Sequence, residues 1–162
     1  MIIHVKNKNT FIIGDFKFKC CVGKNGLNFN KKEGDCITPK GLFNLKKLYF
    51  RKDRVGIPNC KIKKKAITKN MAWCDNPSDN RYNEEIQTQN KNLKEYLYRK
   101  DYKYDYLITI NYNHNKIPNK GSAIFIHLTD NYKSTAGCIA LKKKDFEILL
   151  KLIKKNTKIK IG

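Results

Sequence analysis

Apolar and polar positions alternate along much of the first fifty residues. Residues 2–5, 11–14 and 16–22 alternate or run apolar, with Lys-Asn and Gly-Asp turn signals between them, and this predicts three short β-strands. Gly23-Lys24-Asn25-Gly26 closes that hairpin system. A loop over residues 33–41 leads into an apolar-rich run over 42–50. Residues 51–99 are polar and turn-rich, punctuated by Ile57-Pro58-Asn59 and by the stretch from Asp75 to Asn80. A short helix is predicted over 93–99, with Leu93, Tyr96 and Leu97 on one face. The last third is the most regular. Strands are predicted over 106–112, 121–128 and 138–141. Phe146, Leu149, Leu150 and Ile153 recur at helical spacing, so residues 144–155 read as an amphipathic helix. The alternation Lys158-Ile159-Lys160-Ile161 predicts a final edge strand. The pattern is mainly β with one C-terminal helix, and no internal repeat or linker divides it.

Length fits this picture: 162 residues suit one domain, 1–162, and 40% hydrophobic residues suffice for a core. No apolar run approaches the ~20 residues of a membrane-spanning helix. The first residues lack the apolar stretch of roughly 7–15 residues and the small-residue cleavage site of a signal peptide. A chain that stays in the cell, export without a visible signal, and trimming of a longer precursor all fit.

Charge adds less than its size suggests. The net charge is +21, but 31 of the 35 basic residues are Lys and they are spread through every segment. Asn, Ile and Tyr are also abundant, and all these residues are favoured by A+T-rich codons. The preferred reading is a solvated basic surface, with attraction to anionic envelope polymers as a by-product. No aromatic-basic ribonucleoprotein motif, helix-turn-helix pattern or zinc finger points to specific nucleic-acid binding. The six cysteines form no CxxC pair and are irregularly spaced, which argues against a zinc site and a disulfide framework. Cys20 and Cys21 are neighbours in a strand and point to opposite faces. Most of these thiols read as small buried hydrophobes.

Cys138 reads differently, because of parity. Within 123–128, Ile124, Ile126 and Leu128 share one face of a strand while Ala123, Phe125 and His127 share the other. Within 138–141, Ile139 and Leu141 share a face, opposite Cys138 and Ala140. If both apolar sets face the core, His127 and Cys138 emerge together. A free thiol has a pKa near 8.5, so it needs a base such as imidazole to act as a nucleophile at neutral pH. A third group must hold that imidazole in the right tautomer. Gly137 lets backbone approach a substrate closely, and its N–H and that of Cys138 are candidates for an oxyanion hole. A buried Cys beside a core His is the competing reading.

At these residues the sequence resembles the YkuD-type L,D-transpeptidase family of bacterial cell-wall enzymes. The resemblance rests on His127 followed by Thr135-Ala136-Gly137-Cys138-Ile139-Ala140-Leu141. It extends to Gly34-Asp35-Cys36-Ile37-Thr38-Pro39-Lys40-Gly41-Leu42-Phe43, to Trp73-Cys74-Asp75-Asn76-Pro77 with Arg81-Tyr82-Asn83 behind it, and to His114-Asn115 followed by Gly121-Ser122-Ala123-Ile124-Phe125-Ile126-His127. These stretches match a short-chain subgroup and occur in the family order. The resemblance implies a β-sandwich of mixed sheets with the C-terminal helix packed on it. It implies Cys138 as nucleophile, His127 as base, the Leu128 backbone carbonyl as orienter of the imidazole, and Thr135 as the hydroxyl residue of the motif. Many members carry His before the Gly-Cys pair and Arg two residues after the Cys; Ala136 and Ala140 stand there instead, which implies a differently built pocket.

His114, Asn115, Ser122, Tyr132 and Trp73 are candidate substrate contacts. His114 either lines the cleft or bonds locally in its loop. Trp73 is either packing or a stem-peptide contact, and Tyr132 either a lid residue or an ordinary surface tyrosine. The resemblance implies peptidoglycan stem peptides as substrate, a monomer in the cell envelope or periplasm, and no metal or organic cofactor. Cys138 would take the acyl group at the L,D bond of a tetrapeptide stem and pass it to an amine, and carbapenems would acylate it in the same way. Hydrolysis of the same bond by an L,D-carboxypeptidase or wall amidase is the nearest alternative. A basic envelope-binding protein without turnover is the more distant one.

Overall fold

The computed structural model describes residues 1–89 and 95–162. The strands are β1 (Ile2–Lys6), β2 (Thr10–Ile13), β3 (Phe16–Cys21), β4 (Leu27–Asn28), β5 (Thr38–Pro39), β6 (Gly41–Phe50), β7 (Lys63–Ala66), β8 (Met71–Trp73), β9 (Glu85–Gln87), β10 (Tyr106–Ile110), β11 (Phe125–Leu128), β12 (Ile139–Leu141) and β13 (Lys158–Ile161). The helices are α1 (Lys52–Val55) and α2 (Lys143–Leu152).

The main sheet has nine strands in the order β10-β11-β12-β3-β2-β1-β13-β6-β7, and β10 pairs back onto β6. That last pairing closes the sheet into a barrel-like ring, which replaces the expected sandwich. β6 makes closure possible. Its first residues pair antiparallel with β13 (Gly41 to Ile161, Asn44 to Lys158), and its later ones with β10 (Leu45 to Ile110, Phe50 to Tyr106). A ten-residue strand is long enough to serve both neighbours. The sheet is mixed: β1–β13, β11–β12 and β6–β7 are parallel.

Side chains pointing into the ring form the main core, including Ile3, Phe11, Leu48, Ile108, Ile126 and Ile159, none more than 1% exposed. The stripe on α2 completes it: Phe146, Leu149 and Leu150 are buried, and the Phe146 ring stacks on Tyr106 at 5.4 Å. Burying each such side chain stabilises by about 1.5–3 kcal/mol before entropy is charged.

Several predicted elements change. β13 is not an edge strand: it lies between β1 and β6. The helix ends at Leu152 because Ile153 is extended (φ −65°, ψ 143°). Residues 121–124 do not join β11, since Gly121 (φ 96°) and Ala123 (φ 53°) are left-handed and break the pleat. The predicted helix over 93–99 begins outside the described residues; its described part is not helical, and Tyr96 instead bridges antiparallel to Ala72. The polar middle of the chain holds β7, β8 and β9. No helix among the described residues is long and apolar enough to cross a membrane.

Candidate active site

β11 and β12 run parallel, with His127 opposite Ala140 and Ile126 opposite Ile139. The two strands share their alternation. Ile124, Ile126, Leu128, Ile139 and Leu141 belong to the main core, while Ala123, Phe125 and Cys138 belong to a second cluster on the other side with Tyr49, Tyr104 and Leu107. His127 and Cys138 both line a cleft of about 920 Å³ on that second face.

Three hydrogen bonds set the state of the pair. The His127 imidazole meets the Leu128 carbonyl through Nδ1 at 2.9 Å. A carbonyl only accepts, so Nδ1 carries the proton and Nε2 is left with its lone pair. The Cys138 thiol donates to the Ala123 carbonyl at 3.1 Å, and its sulfur accepts the Phe125 N–H at 3.4 Å. Burial dominates the electrostatics. It pushes the thiol up to about 12, aided by the Glu95 carboxylate and opposed by the Phe125 N–H and Lys31. It pushes His127 down to about 4 despite the Leu128 carbonyl, which favours the protonated ring. The resting pair is therefore a neutral thiol and a neutral imidazole, not a preformed ion pair.

The loop that delivers Cys138 is clamped from two directions. Thr135 Oγ1 donates to the Cys138 carbonyl at 2.6 Å and accepts the Gly137 N–H at 3.1 Å. The Gly137 N–H, a sequence candidate for an oxyanion hole, is thus engaged within the loop. From below, Thr38 Oγ1 donates to the Gly137 carbonyl and accepts the Gly23 N–H, both at 2.8 Å. Gly137 itself is required: φ is 142°, and a Cβ there would sit 2.9 Å from the Ile37 carbonyl oxygen. Asp35 holds the supporting turn, accepting from the Lys32 and Ile37 N–H groups and from the Lys31 ammonium. The Gly-Asp and Thr-Pro stretch is thus the floor beneath the nucleophile.

A second support is Asn83. Its Oδ1 accepts the Ala123 N–H at 3.1 Å and the Trp73 indole N–H at 3.0 Å, and its Nδ2 donates to the carbonyls of Tyr112 and Asn113. Asn83 fixes the left-handed residue whose carbonyl holds the thiol. Trp73 packs edge-on against Phe125 at 5.2 Å, so it backs the site and does not line the cleft.

The other sequence candidates divide. Leu128, Thr135, Gly137 and Ser122 line the cleft. Ser122 is 6% exposed. Its Oγ makes no hydrogen bond of acceptable geometry among the described residues, although the Tyr82 hydroxyl lies near enough to feel it. His114 and Asn115 are exposed and outside the cleft. Tyr132 is also outside its lining; its ring is held by the Lys19 and Lys142 ammonium groups at 4.6 and 5.5 Å.

The L,D-transpeptidase catalytic-domain family, YkuD, matches residues 2–161. The chain belongs to this family. Among solved structures, that of Bdellovibrio bacteriovorus Bd1075 is similar in fold, with a TM-score of 0.51 and 14% identity over 99% of this chain and 47% of that one. This chain thus spans about half the length of that one. No curated protein sequence matches significantly.

This L,D-transpeptidase domain also carries site residues that the sequence did not mark. Lys31, 4% exposed, reaches the Gly137 wall from within a Lys-rich string that hides it. Glu95, partly buried, accepts the Tyr104 hydroxyl, and burial raises its carboxyl to about 7. Tyr104 in turn lies edge-on to His127 at 5.4 Å. Glu95 fell in the segment read as helix, where an acid passes for surface.

Proposed function

We propose that this domain is a peptidoglycan L,D-transpeptidase that works through a Cys138 thioester. The observation that carries the reading is the joint placement of Cys138 and His127 in one cleft, with Nδ1 tied to the Leu128 carbonyl and Nε2 free to take a proton. The sulfur attacks the stem carbonyl at the L,D bond while its proton moves to Nε2. The carbonyl π pair goes to oxygen. As the C=O re-forms, the C–N bond breaks, and the Nε2 proton goes to the departing D-amino acid. An amine of a second stem then attacks the thioester, loses a proton to Nε2, and releases the thiol, which recovers that proton. With Gly137 N–H engaged, the Cys138 N–H is the backbone donor left to the oxyanion. Starting from a neutral pair, proton transfer and attack proceed together, in a cleft whose low dielectric strengthens each dipole aimed at the new charge.

The place of action follows from the substrate: the cell envelope. Incubation with tetrapeptide-rich sacculi and separation of the muropeptides tests the reading. Cross-linked dimers are expected from the wild type and from Cys74→Ala, and none from Cys138→Ala, which should also lose its carbapenem mass adduct. Tripeptides without dimers would make the enzyme a hydrolase, and undiminished dimers from Cys138→Ala would remove Cys138 from the mechanism.

A further inference from the structure

Lys31 is buried at a place where a cation is expensive. Withdrawing an ammonium from water costs several kcal/mol, recovered only by close partners. The fold provides a dedicated slot. The Lys31 stem runs against Gly121, where a Cβ would come within 2.8 Å of Cε, and its head reaches Gly137, where a Cβ would lie 3.5 Å from Nζ. Both glycines have positive φ, so both the backbone shape and the missing side chains serve this path. The ammonium donates to Asp35 Oδ1 at 2.8 Å and to the Lys32 carbonyl at 3.1 Å. It has three protons, so one remains beyond these two acceptors. Asp35 is held below the usual carboxylate range, the Lys31 ammonium and the N–H groups of Lys32 and Ile37 outweighing its partial burial. Asp35 is therefore ionised at neutral pH, and the Lys31 head beside it is turned to the wall of the nucleophile. Ser122 Oγ lies on the same wall, one residue past the Gly121 that flanks the Lys31 stem.

We propose that Lys31 is a catalytic cation of this site: its ammonium stabilises the negative charge that develops on the Cys138 sulfur and on the substrate oxyanion. Lys31 keeps its proton throughout; the thiol proton still goes to His127 Nε2 and later to the leaving amine. Without such a cation, a thiol buried beside a neutral imidazole would acquire charge with only dipoles to offset it. The inference rests on the acyl-transfer reading for the oxyanion, while its effect on the thiol is independent of any substrate.

That independence selects the experiment. Alkylation by iodoacetamide, an uncharged probe, is followed at the Cys138 peptide by mass spectrometry across pH 6–10 in the full chain. Lys31→Met should slow alkylation at pH 7.5 roughly tenfold, a one-unit rise in apparent thiol pKa, and Lys31→Arg should restore most of the rate. Asp35→Asn should accelerate it, because it removes the anion that offsets the ammonium. Opposite signs for Lys31→Met and Asp35→Asn support the cation. Equal slowing by both would mean that the pair only staples the turn under Gly137, and a Lys31→Met rate like the wild type's would remove Lys31 from the chemistry; either result overturns the proposal. Should Lys31→Met melt too early to assay, Asp35→Asn decides alone by the direction of its change. Sacculi yielding no products while the alkylation pattern holds would sink the transpeptidase reading and leave the cation standing.

Discussion

Two titratable side chains in the cleft oppose each other. His127 is pushed down from 6.5 to about 4, chiefly by burial, so the folded state binds fewer protons there than the unfolded chain. Its contribution is fully present above pH 6.5 and is lost as pH falls toward 4, on the order of 3 kcal/mol at 1.36 kcal/mol per unit. Glu95 is pushed up from 4.5 to about 7, also chiefly by burial. Its sign is the reverse: the folded state holds the extra proton, and that contribution is full below pH 4.5 and is lost as pH rises through 7. The windows nearly coincide, so the wild type should show a nearly flat stability between pH 4.5 and 6.5. Each single variant unmasks the other group. In urea melts, His127→Gln should become less stable as pH rises from 4.5 to 7, and Glu95→Gln should become more stable over the same interval. Matching slopes in the two variants would refute the opposed pair.

At the level of elements, the floor beneath Cys138 makes a sharper test than the strands around it. Thr38 is fully buried, and its hydroxyl joins the Gly23 N–H to the Gly137 carbonyl. Thr38→Val keeps the shape and leaves both groups unsatisfied, at a cost of about 1–3 kcal/mol each at most. Denaturant midpoints should report that loss, and turnover should fall further than stability accounts for, since the Cys138 loop loses its anchor; turnover unchanged at a temperature well below the melt would show that the anchor does not matter. This part of the site was legible as a motif in sequence, but its purpose was not, because a Thr that bonds a residue ninety-nine positions away leaves no local trace. Parity worked where both strands alternate cleanly, as for His127 and Cys138. It failed for β7, whose Lys63-Lys64-Lys65-Ala66 carries no apolar pattern and is a strand only because it pairs with the edge of β6. Charged side chains suit such an edge, since they discourage further pairing. It failed again at residues 121–124, where an apolar run continues but Ala123 turns left-handed so that its carbonyl can meet the thiol. Closure of the barrel was equally hidden, because alternation reveals which residues face inward and not which strand ends meet.

For the molecule as a whole, the excess of lysine is the feature that neither fold nor site demands. Many of these residues sit on outward positions of barrel strands, such as Lys17 and Lys19 on β3 and Lys158 and Lys160 on β13, all exposed. Among the described residues only four ion pairs involve a lysine, at Lys31, Lys47, Lys65 and Lys116. A net charge of +21 on 162 residues repels itself in the compact state more than in the expanded chain. Screening weakens that repulsion as the Debye length shrinks from about 30 Å at 0.01 M salt to about 8 Å at 0.15 M. Surface ion pairs lose strength over the same range, but each contributes at most about 1 kcal/mol and the like-charged pairs outnumber them. The melting temperature should therefore rise by several degrees between 0.01 and 0.15 M sodium chloride, and an uncharged osmolyte of equal osmolality should not reproduce the rise. The same field attracts anionic polymers, so association with sacculi should weaken as salt increases even while the protein becomes more stable. Opposite salt trends for stability and for sacculus binding would mark the lysines as a long-range attractor carried at some cost to the fold; a melting temperature that falls with salt would mean that the ion pairs outweigh the repulsion.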